Sequence, residues 1–330
     1  TDDHFGVASP LMPQTRARLD ETIRPMLQRG VIPIITGYIA ATEGGVTTTL
    51  GRGGSDFSAA IICAAMDADE LWIWSDVDGI LSADPNIVAQ ARTLTQLSYA
   101  EAAELAYYGA DVLHPKTIRP LIERGIPLRI VNSFNPQHPG TRIVPSPSQD
   151  RVLLPAIIST TGLSLIAVGT RDDSWTLPLA ARSLQKLGET GVDVLMFSQS
   201  FSEHSLNLVV RQEDQAHCLR TLTHEFQNGN SLDIYNLGVK ERVATISVVG
   251  IPGWNQHGIV PHAFAALGKH GTRVIAVAQA ATEHSVSFCV PEEQTVDTVR
   301  FLHQDLGLED PVSPSNDAVV LPTQPVAGGI

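Results

Sequence analysis

Apolar residues along the chain fall into short runs separated by stretches with helical spacing, and this pattern predicts an alternating α/β protein. Val31 to Tyr38 is an apolar run rich in β-branched residues, and Leu71 to Trp74 is a second run. Because neither run alternates with polar residues, both are predicted to be strands buried on both faces of a parallel sheet. Phe57 to Met66 lies between them and is apolar nearly all round, which predicts a buried helix.

The alternating pattern continues to about residue 143. Ser98 and Glu101 have the spacing of a capping box, which predicts that a helix begins there. A further helix is predicted from Pro115 to Gly125, and a strand is predicted from Ile126 to Val131. Residues 144–151 are rich in proline and serine and are typical of a linker. The first domain is therefore expected to end near residue 147.

An internal repeat follows this linker. Gln199 and Ser205 recur 80 residues later as Gln279 and Ser285. Each copy predicts the order strand, helix, strand, strand, helix, which suits a split βαβ sandwich. The predicted organisation is a first domain over residues 1–147, two modules over residues 148–235 and 236–308, and a tail over residues 309–330 that is disordered or adds an edge strand.

The composition is that of an ordinary globular protein with two or three domains. The chain has 330 residues, of which 43% are apolar and 17% charged. Its net charge of −13 argues against non-specific binding to nucleic acid or to anionic membranes. Three cysteines lie far apart, so neither a disulfide framework nor a zinc site is predicted. No run is long enough to span a bilayer and no segment resembles a signal peptide, which predicts a cytoplasmic protein.

The stretch from Thr47 to Ala59 carries the clearest chemical signal. It is a glycine-rich turn that contains Arg52 and Asp56 and leads into the apolar helix. Glycines let a ligand approach the backbone closely, arginine offers a planar fork to a carboxylate or phosphate, and a helix N-terminus presents free N–H groups to an anion. These residues predict a site for an anionic small molecule, and a helix cap beside a surface arginine is the alternative interpretation.

This stretch, followed by the segment from Trp74 to Gly79 and then by the segment from Gly109 to Pro115, resembles the aspartate kinase family in order and spacing. The two repeats resemble ACT domains, the amino-acid-sensing modules of that family. The resemblance implies an α/β fold: the C-terminal portion of an amino-acid-kinase parallel-sheet domain, followed by two ferredoxin-like α+β modules. The Lys-Phe-Gly-Gly segment with which the family holds the ATP phosphates has no match here, so the chain alone is expected to be weakly active or inactive.

The resemblance implies an activity and a role for individual residues. The implied reaction is ATP-dependent phosphorylation of the side-chain carboxylate of L-aspartate to 4-phospho-L-aspartate, which leads to lysine, threonine and methionine. The implied catalytic residues are Arg52 and Asp56. The implied substrate site comprises Arg52, Gly53, Gly54 and Ser55. The implied nucleotide site comprises Ser75, Asp76, Leu81, Asp84, Asn86 and Asp111.

Three positions of the implied nucleotide site depart from the family pattern. Leu81 stands where the family usually has an aromatic residue, Asn86 where it has an arginine, and Asp111 where many members have a lysine. Repulsion between an aspartate at position 111 and a nucleotide phosphate raises the free energy of the complex by roughly 1 to 4 kcal/mol. The repulsion is absent if Asp111 turns away to cap the next helix. Mg²⁺ is expected to be bound mainly through the nucleotide, and no metal site of protein ligands is predicted. His114 is interpreted as structural, because an ionised carboxylate acceptor needs no general base.

In the second half, Asp193 and Ser198 match positions that some family members use to hold an inhibitory amino acid, and an exposed strand end is the alternative interpretation. The implied partners are aspartate, ATP, an inhibitor such as lysine or threonine, and a second copy of the chain bound through the ACT domains. A non-catalytic amino-acid-sensing subunit of an aspartate kinase is an alternative function. A relative that acts on glutamate or a nucleotide is a third possibility, which the repeats and the three ordered motifs disfavour.

Overall fold

A computed structural model of the chain describes residues 1–108, 113–148, 154–170, 177–200, 205–227, 234–250, 258–279 and 285–309. The helices are α1 (Met12–Thr22), α2 (Arg24–Gln28), α3 (Gly54–Met66), α4 (Tyr99–Tyr107), α5 (Pro115–Ile122), α6 (Leu177–Glu189), α7 (Gln215–Gln227), α8 (Val260–Lys269) and α9 (Thr295–Asp305). The strands are β1 (Ile39–Ala41), β2 (Thr47–Thr49), β3 (Leu71–Ser75), β4 (Gln96–Ser98), β5 (Leu128–Asn132), β6 (Thr141–Val144), β7 (Ala156–Thr170), β8 (Val194–Ser200), β9 (Ser205–Arg211), β10 (Ile234–Val249), β11 (Ala276–Gln279) and β12 (Ser285–Pro291). Within these ranges, no helix has both the length and the apolar character needed to cross a bilayer.

The first half of the chain is built on a four-stranded sheet with the order β3-β5-β6-β4. Strands β3 and β5 are parallel, whereas β6 runs antiparallel to β5 and parallel to β4. One face of this sheet presents Ile73 and Ile130 to a buried cluster that also contains Ala60 of α3 and Ile118 of α5. Helices α3 and α5 both contribute to this cluster, and their starts lie close together, since Gly53 approaches His114.

Two sequence predictions in this half are wrong. Trp72 and Trp74 of β3 are 45% and 51% exposed, so this strand is buried on one face only, and the sheet is mixed rather than parallel. Residues 31–38 form no strand, and Ile32 and Ile34 are 87% and 98% exposed. An apolar β-branched run becomes a strand only where a neighbouring strand pairs with it and other elements cover its side chains.

Other predictions in this half are confirmed. The predicted apolar helix is α3, which begins three residues earlier than expected, at Gly54. Ser98 and Glu101 form the predicted capping box: Ser98 Oγ accepts a hydrogen bond from Glu101 N at 3.2 Å, and Glu101 Oε2 accepts one from Ser98 N at 2.7 Å. Helix α5 begins at Pro115 as predicted but ends at Ile122, and β5 follows it.

The second half forms one six-stranded antiparallel sheet with the order β11-β12-β10-β7-β9-β8. Its central strands are long: β7 has 15 residues and β10 has 16. They pair along their lengths, from Ala156 opposite Val249 to Thr170 opposite Ile234. One half of the sheet is extended by β9 and β8 and the other by β12 and β11.

We call the half with β8, β9, α6 and α7 the first module, and the half with β11, β12, α8 and α9 the second module. The predicted boundary between residues 235 and 236 falls inside β10. Because both central strands serve both halves, the modules share one sheet and are not consecutive units. The second module packs on the first half of the chain, since Ile80, Leu97, Ile246 and Phe288 belong to one buried cluster.

Candidate active site

The glycine-rich turn is held against the start of α5. Gly53 is the N-cap of α3 and has a φ of +71°, in the left-handed region that favours glycine. A Cβ on Gly53 would lie 2.6 Å from Cβ of His114, so a larger residue does not fit. A Cβ on Gly54 would lie 2.7 Å from Cδ2 of Tyr38. Among the described residues no side chain caps α3, which argues against Asp56 as a simple helix cap.

His114 is the N-cap of α5, and its Nδ1 accepts a hydrogen bond from Lys116 N at 3.2 Å. This bond confirms the structural interpretation of His114. Burial lowers the pKa of His114, the positive charges of Lys116 and Arg52 lower it further, and Asp56 raises it. The imidazole is therefore neutral at physiological pH.

Four ionisable groups lie near this point. Burial raises the pKa of Asp56, and His114 lowers it when the imidazole is protonated. Arg52 and Lys116 both lower the pKa of His114, so both cations lie in the neighbourhood of that ring. The N-terminus of α3, which no side chain among the described residues caps, adds positive potential. This arrangement suits an anionic ligand. Sequence reasoning missed Lys116, because a lysine in the first turn of a helix is typical of an exposed surface.

The turn lies at the carboxyl edge of the sheet. Helix α3 leads into β3 through residues 67–70, and α5 leads into β5 through residues 123–127. Such short connections place the end of each helix near the start of its strand. Because both helices also pack on the sheet, we infer that they start beside the ends of the strands, where Ser75 is paired with Asn132. Open α/β sheets bind their ligands at this edge.

Polar side chains fill the same edge. Ser75 Oγ donates a hydrogen bond to Asp76 Oδ1 at 3.2 Å. Asp78 Oδ1 accepts hydrogen bonds from Asn132 Nδ2 at 2.9 Å and from Asn135 Nδ2 at 3.1 Å. The sequence interpretation gave Asp78 no role, although Asp78 belongs to the segment from Trp74 to Gly79 that it had recognised. Asp78 ties the ends of β3 and β5 together.

The other predicted nucleotide residues lie on the loop between β3 and β4, residues 76–95, which we call the β3–β4 loop. Leu81 forms an isolated bridge with Thr93. Asn86 donates to Asp84 Oδ1 through its backbone N at 2.8 Å and through Nδ2 at 3.0 Å. The side-chain amide of Asn86 is thus engaged in a local turn, and it supplies no positive charge. Asp111 lies outside the described residues.

The structure does not bring the two predicted effector residues together within one chain. Asp193 is exposed just before β8, and Ser198 is half-buried within it. Five residues along a strand span roughly 16 Å, which is longer than a single amino acid. Gln199 follows Ser198 in β8, and Ser205 of β9 is paired with Ser200. Gln199 Nε2 and Ser205 Oγ are buried without a hydrogen-bond partner among the described residues. The sequence signal that points to Gln199 and Ser205 is their recurrence in the repeat as Gln279 and Ser285.

Comparisons with known proteins place this geometry in a family. Residues 6–132 match the amino acid kinase family, and residues 177–226 and 246–306 match the ACT domain. The bifunctional aspartokinase/homoserine dehydrogenase of Haemophilus influenzae is 34% identical over 276 residues, which are 83% of this chain and 34% of the relative. Aspartokinase 1 of Arabidopsis thaliana chloroplasts is 33% identical over 285 residues, 83% of this chain and 48% of the relative. The chain belongs to the aspartokinase family.

Solved aspartokinase structures share the fold. E. coli aspartokinase III in complex with aspartate and ADP, in its R-state, superposes with a TM-score of 0.76 at 28% identity, over 93% of this chain and 67% of that one. The T-state complex of the same enzyme with lysine and aspartate gives a TM-score of 0.73 at 27% identity, over the same shares. The predicted α/β fold class is confirmed. The chain spans about a third of the length of the bifunctional aspartokinase relatives and about half that of Arabidopsis aspartokinase 1.

Proposed function

We propose that the protein is an aspartate kinase, which transfers the terminal phosphoryl group of ATP to the side-chain carboxylate of L-aspartate and yields 4-phospho-L-aspartate and ADP. The observation that carries this proposal is the glycine turn with Arg52 at the start of α3, which packs against His114 at the start of α5. Arg52, Lys116 and Asp56 all bear on the pKa of His114, which supports a charged site at this point. The similarity to the E. coli enzyme in complex with aspartate and ADP supports both ligands.

In this proposal, Arg52, Gly53, Gly54 and Ser55 bind aspartate. The guanidinium of Arg52 pairs with a carboxylate, and the glycines let the substrate approach the N–H groups of α3. Asp56 lies beside the reacting centre. The acceptor carboxylate is already ionised, so no residue needs to remove a proton. What the residues supply is alignment and positive potential against the negative charge of the transferring group. His114 fixes the turn by packing against Gly53.

The nucleotide is proposed to bind along Ser75, Asp76, Leu81, Asp84 and Asn86, with Asp111 as a further candidate. Ser75 and Asp76 offer hydroxyl and carboxylate oxygens, which suit ribose hydroxyls and the hard ion Mg²⁺. When bound, Mg²⁺ neutralises charge on the phosphates. We propose that it arrives with the nucleotide; in the described ranges, no group of three or more His, Cys, Asp or Glu is placed to hold a metal ion.

The second half is proposed to sense an amino acid such as lysine or threonine, and so to regulate synthesis of the lysine, threonine and methionine group in the cytoplasm. The E. coli T-state structure is a complex with lysine and aspartate, which supports such an effector. Because Asp193 and Ser198 lie too far apart for one ligand within a chain, we propose that each acts with residues of a second copy. Strand β8 stands at the edge of the sheet, where a second copy can pair with it.

Calorimetric titration with aspartate, Mg-ATP, lysine and threonine separately tests the proposal, together with aspartate-dependent release of ADP. Arg52→Ala is expected to weaken aspartate binding by about 10-fold to 150-fold, the effect of losing hydrogen bonds to a charged group. Arg220→Ala on α7 is the matched control, because it removes the same charge from an exposed position of the first module. Unchanged aspartate binding in Arg52→Ala contradicts the assignment of the site.

A non-catalytic amino-acid-sensing subunit is the second candidate. The observation that favours it is Asn86, whose side chain is bound to Asp84 and brings no positive charge to the nucleotide loop. The same titrations separate the two candidates. Binding of lysine or threonine without binding of aspartate supports the sensing subunit. Aspartate binding that Arg52→Ala removes supports the kinase.

A further inference from the structure

The β3–β4 loop is exposed at its tip and anchored at its base. Asp84 and Asn86 are exposed, whereas Ser82 is fully buried. Ser82 exchanges two bonds with the far side of the loop: Ser82 N donates to Arg92 O at 2.8 Å, and Arg92 N donates to Ser82 Oγ at 2.9 Å. Ser82 O also accepts from Ile157 N of β7 at 2.8 Å. Ser82 is therefore one of the residues through which this loop is fixed to the rest of the molecule.

The remaining contact of Ser82 comes from the second module. His303 of α9 is fully buried, and its Nε2 lies 3.0 Å from Ser82 Oγ, 221 residues away in the sequence. Burial lowers the pKa of His303, and the charge of Glu309 raises it. In the part of the chain that the structure describes, His303 Nδ1 has no hydrogen-bond partner. Among the described residues, the neutral imidazole of His303 therefore makes one hydrogen bond, to the hydroxyl of Ser82.

A second residue of α9 holds the same loop. Arg300 Nε donates to the carbonyl oxygen of Ile87 at 3.0 Å. Arg300 and His303 are three residues apart, so they lie on one face of the helix. Their contacts at Ser82 and Ile87 bracket the exposed tip that carries Asp84 and Asn86. Helix α9 of the second module therefore contacts the β3–β4 loop on both sides of its tip.

For stability alone, an apolar residue would suit position 303 better than histidine does. A buried polar atom without a hydrogen-bond partner lowers stability, and Nδ1 of His303 is such an atom within the described residues. A leucine of similar volume would fill an apolar site without that cost. What the imidazole adds is a directional bond to Ser82, which fixes where the loop lies.

We propose that His303 is a positioning residue for the β3–β4 loop, through which the second module sets the affinity of the kinase for nucleotide. This inference rests on the proposed function, in which Leu81, Asp84 and Asn86 line the nucleotide site. In this proposal, α9 connects the second module directly to the nucleotide site. The link acts on the nucleotide and leaves the Arg52 turn unaffected.

The test compares wild type, His303→Leu, His303→Gln and Ser82→Ala in the whole chain. Hydrogen–deuterium exchange reports on residues 80–94, and calorimetry gives the affinities for Mg-ADP and for aspartate. His303→Leu is expected to speed exchange in the loop and to weaken Mg-ADP binding by about threefold to tenfold, as expected for one lost hydrogen bond. Ser82→Ala also loses the bond from Arg92 N and is expected to have at least the same effect. Aspartate affinity is expected to stay within about twofold, a split that general loss of structure does not produce. His303→Gln keeps a group that can bond to Ser82 and is expected to retain wild-type values.

Unchanged exchange in residues 80–94 of a folded His303→Leu variant overturns the inference, and so does an equal loss of aspartate and Mg-ADP affinity. If His303→Leu does not fold, His303→Phe keeps an aromatic ring in the site without the bond to Ser82 and decides the question. A wild-type chain that binds no Mg-ADP contradicts the proposed nucleotide site. In that case, loop exchange alone still shows whether His303 fixes the loop.

Discussion

Ser285 Oγ donates a 2.6 Å hydrogen bond to Glu104 Oε1 and thereby joins the first residue of β12 to α4 of the kinase region. Tyr108 OH lies 3.0 Å from the same serine oxygen. Ser205 occupies the equivalent position in the first copy of the repeat, and its buried Oγ has no partner among the residues that the structure describes. The same serine therefore has different contacts in the two copies. In the second copy it joins the six-stranded sheet to the first half of the chain.

This difference predicts unequal effects of the same substitution. Ser285→Ala is expected to lower the free energy of unfolding by about 1.5 to 3 kcal/mol, because Glu104 loses a hydrogen bond to its carboxylate. Ser205→Ala removes a hydroxyl that makes no hydrogen bond to a described residue and is expected to be neutral or slightly stabilising. Urea unfolding of both variants measures the difference. Equal destabilisation by the two substitutions would show that the contact with Glu104 contributes nothing.

Gly53→Ala is expected to destabilise the protein by about 1 to 3 kcal/mol, because its backbone is in the left-handed region and a Cβ would overlap His114. Aspartate affinity should fall as the turn shifts. Gly268→Ala in α8 is the matched control: its Cβ would meet no described atom within 4 Å, and it should stabilise by up to about 1 kcal/mol. Thermal unfolding and calorimetry check both variants. A Gly53→Ala variant as stable as wild type would refute the close packing of the turn on His114.

Asp56→Asn is expected to raise thermal stability while lowering activity. Burial raises the pKa of Asp56 in the folded state, so the folded protein binds the proton more tightly than the unfolded chain and loses stability as pH rises above about 3.9. Asparagine carries no such penalty. The gain in Tm should therefore be larger at pH 7.5 than at pH 4.5, and stay below about 4 °C, the shift that about 1 kcal/mol gives in a domain of this size. A gain that does not depend on pH would contradict this cause.

Lys116→Ala is expected to raise the pKa of His114, because it removes a positive charge that disfavours the imidazolium. Burial still acts, so the pKa of His114 should stay below the ordinary value for histidine. Lys186→Ala on α6 is the control, since it removes a lysine of the first module. NMR titration of the histidine ring protons measures both variants. If Lys116→Ala leaves the pKa of His114 unchanged, Lys116 does not act on the site.

Local signals in the sequence predicted local structure well. The capping box of Ser98 and Glu101 and the proline at residue 115 placed the starts of α4 and α5, because these signals act through neighbours in the chain. Residues 31–38 show the opposite case, since a strand exists only where another strand pairs with it. The exposure of Trp72 and Trp74 depends likewise on what covers the sheet, which the run itself does not encode.

The candidate site was predicted in part for the same reason. Arg52 and Asp56 are neighbours in one motif, so their shared turn was predictable from the sequence. His114 reaches that turn only because α3 and α5 start at one edge of the sheet. The bond from His303 to Ser82 spans 221 residues and has no counterpart in any local pattern.

The two long strands β7 and β10 bear on how a signal can travel through this protein. Both strands contribute to both modules, and β10 with its 16 residues spans roughly 50 Å when extended. The pairing of β10 with β7 shifts register between Lys240 and Val243 and again between Val243 and Thr245, and Arg242 has a φ of +55°. Irregularities of this kind bend a strand, so movement of one module relative to the other is expected to concentrate near the middle of β10.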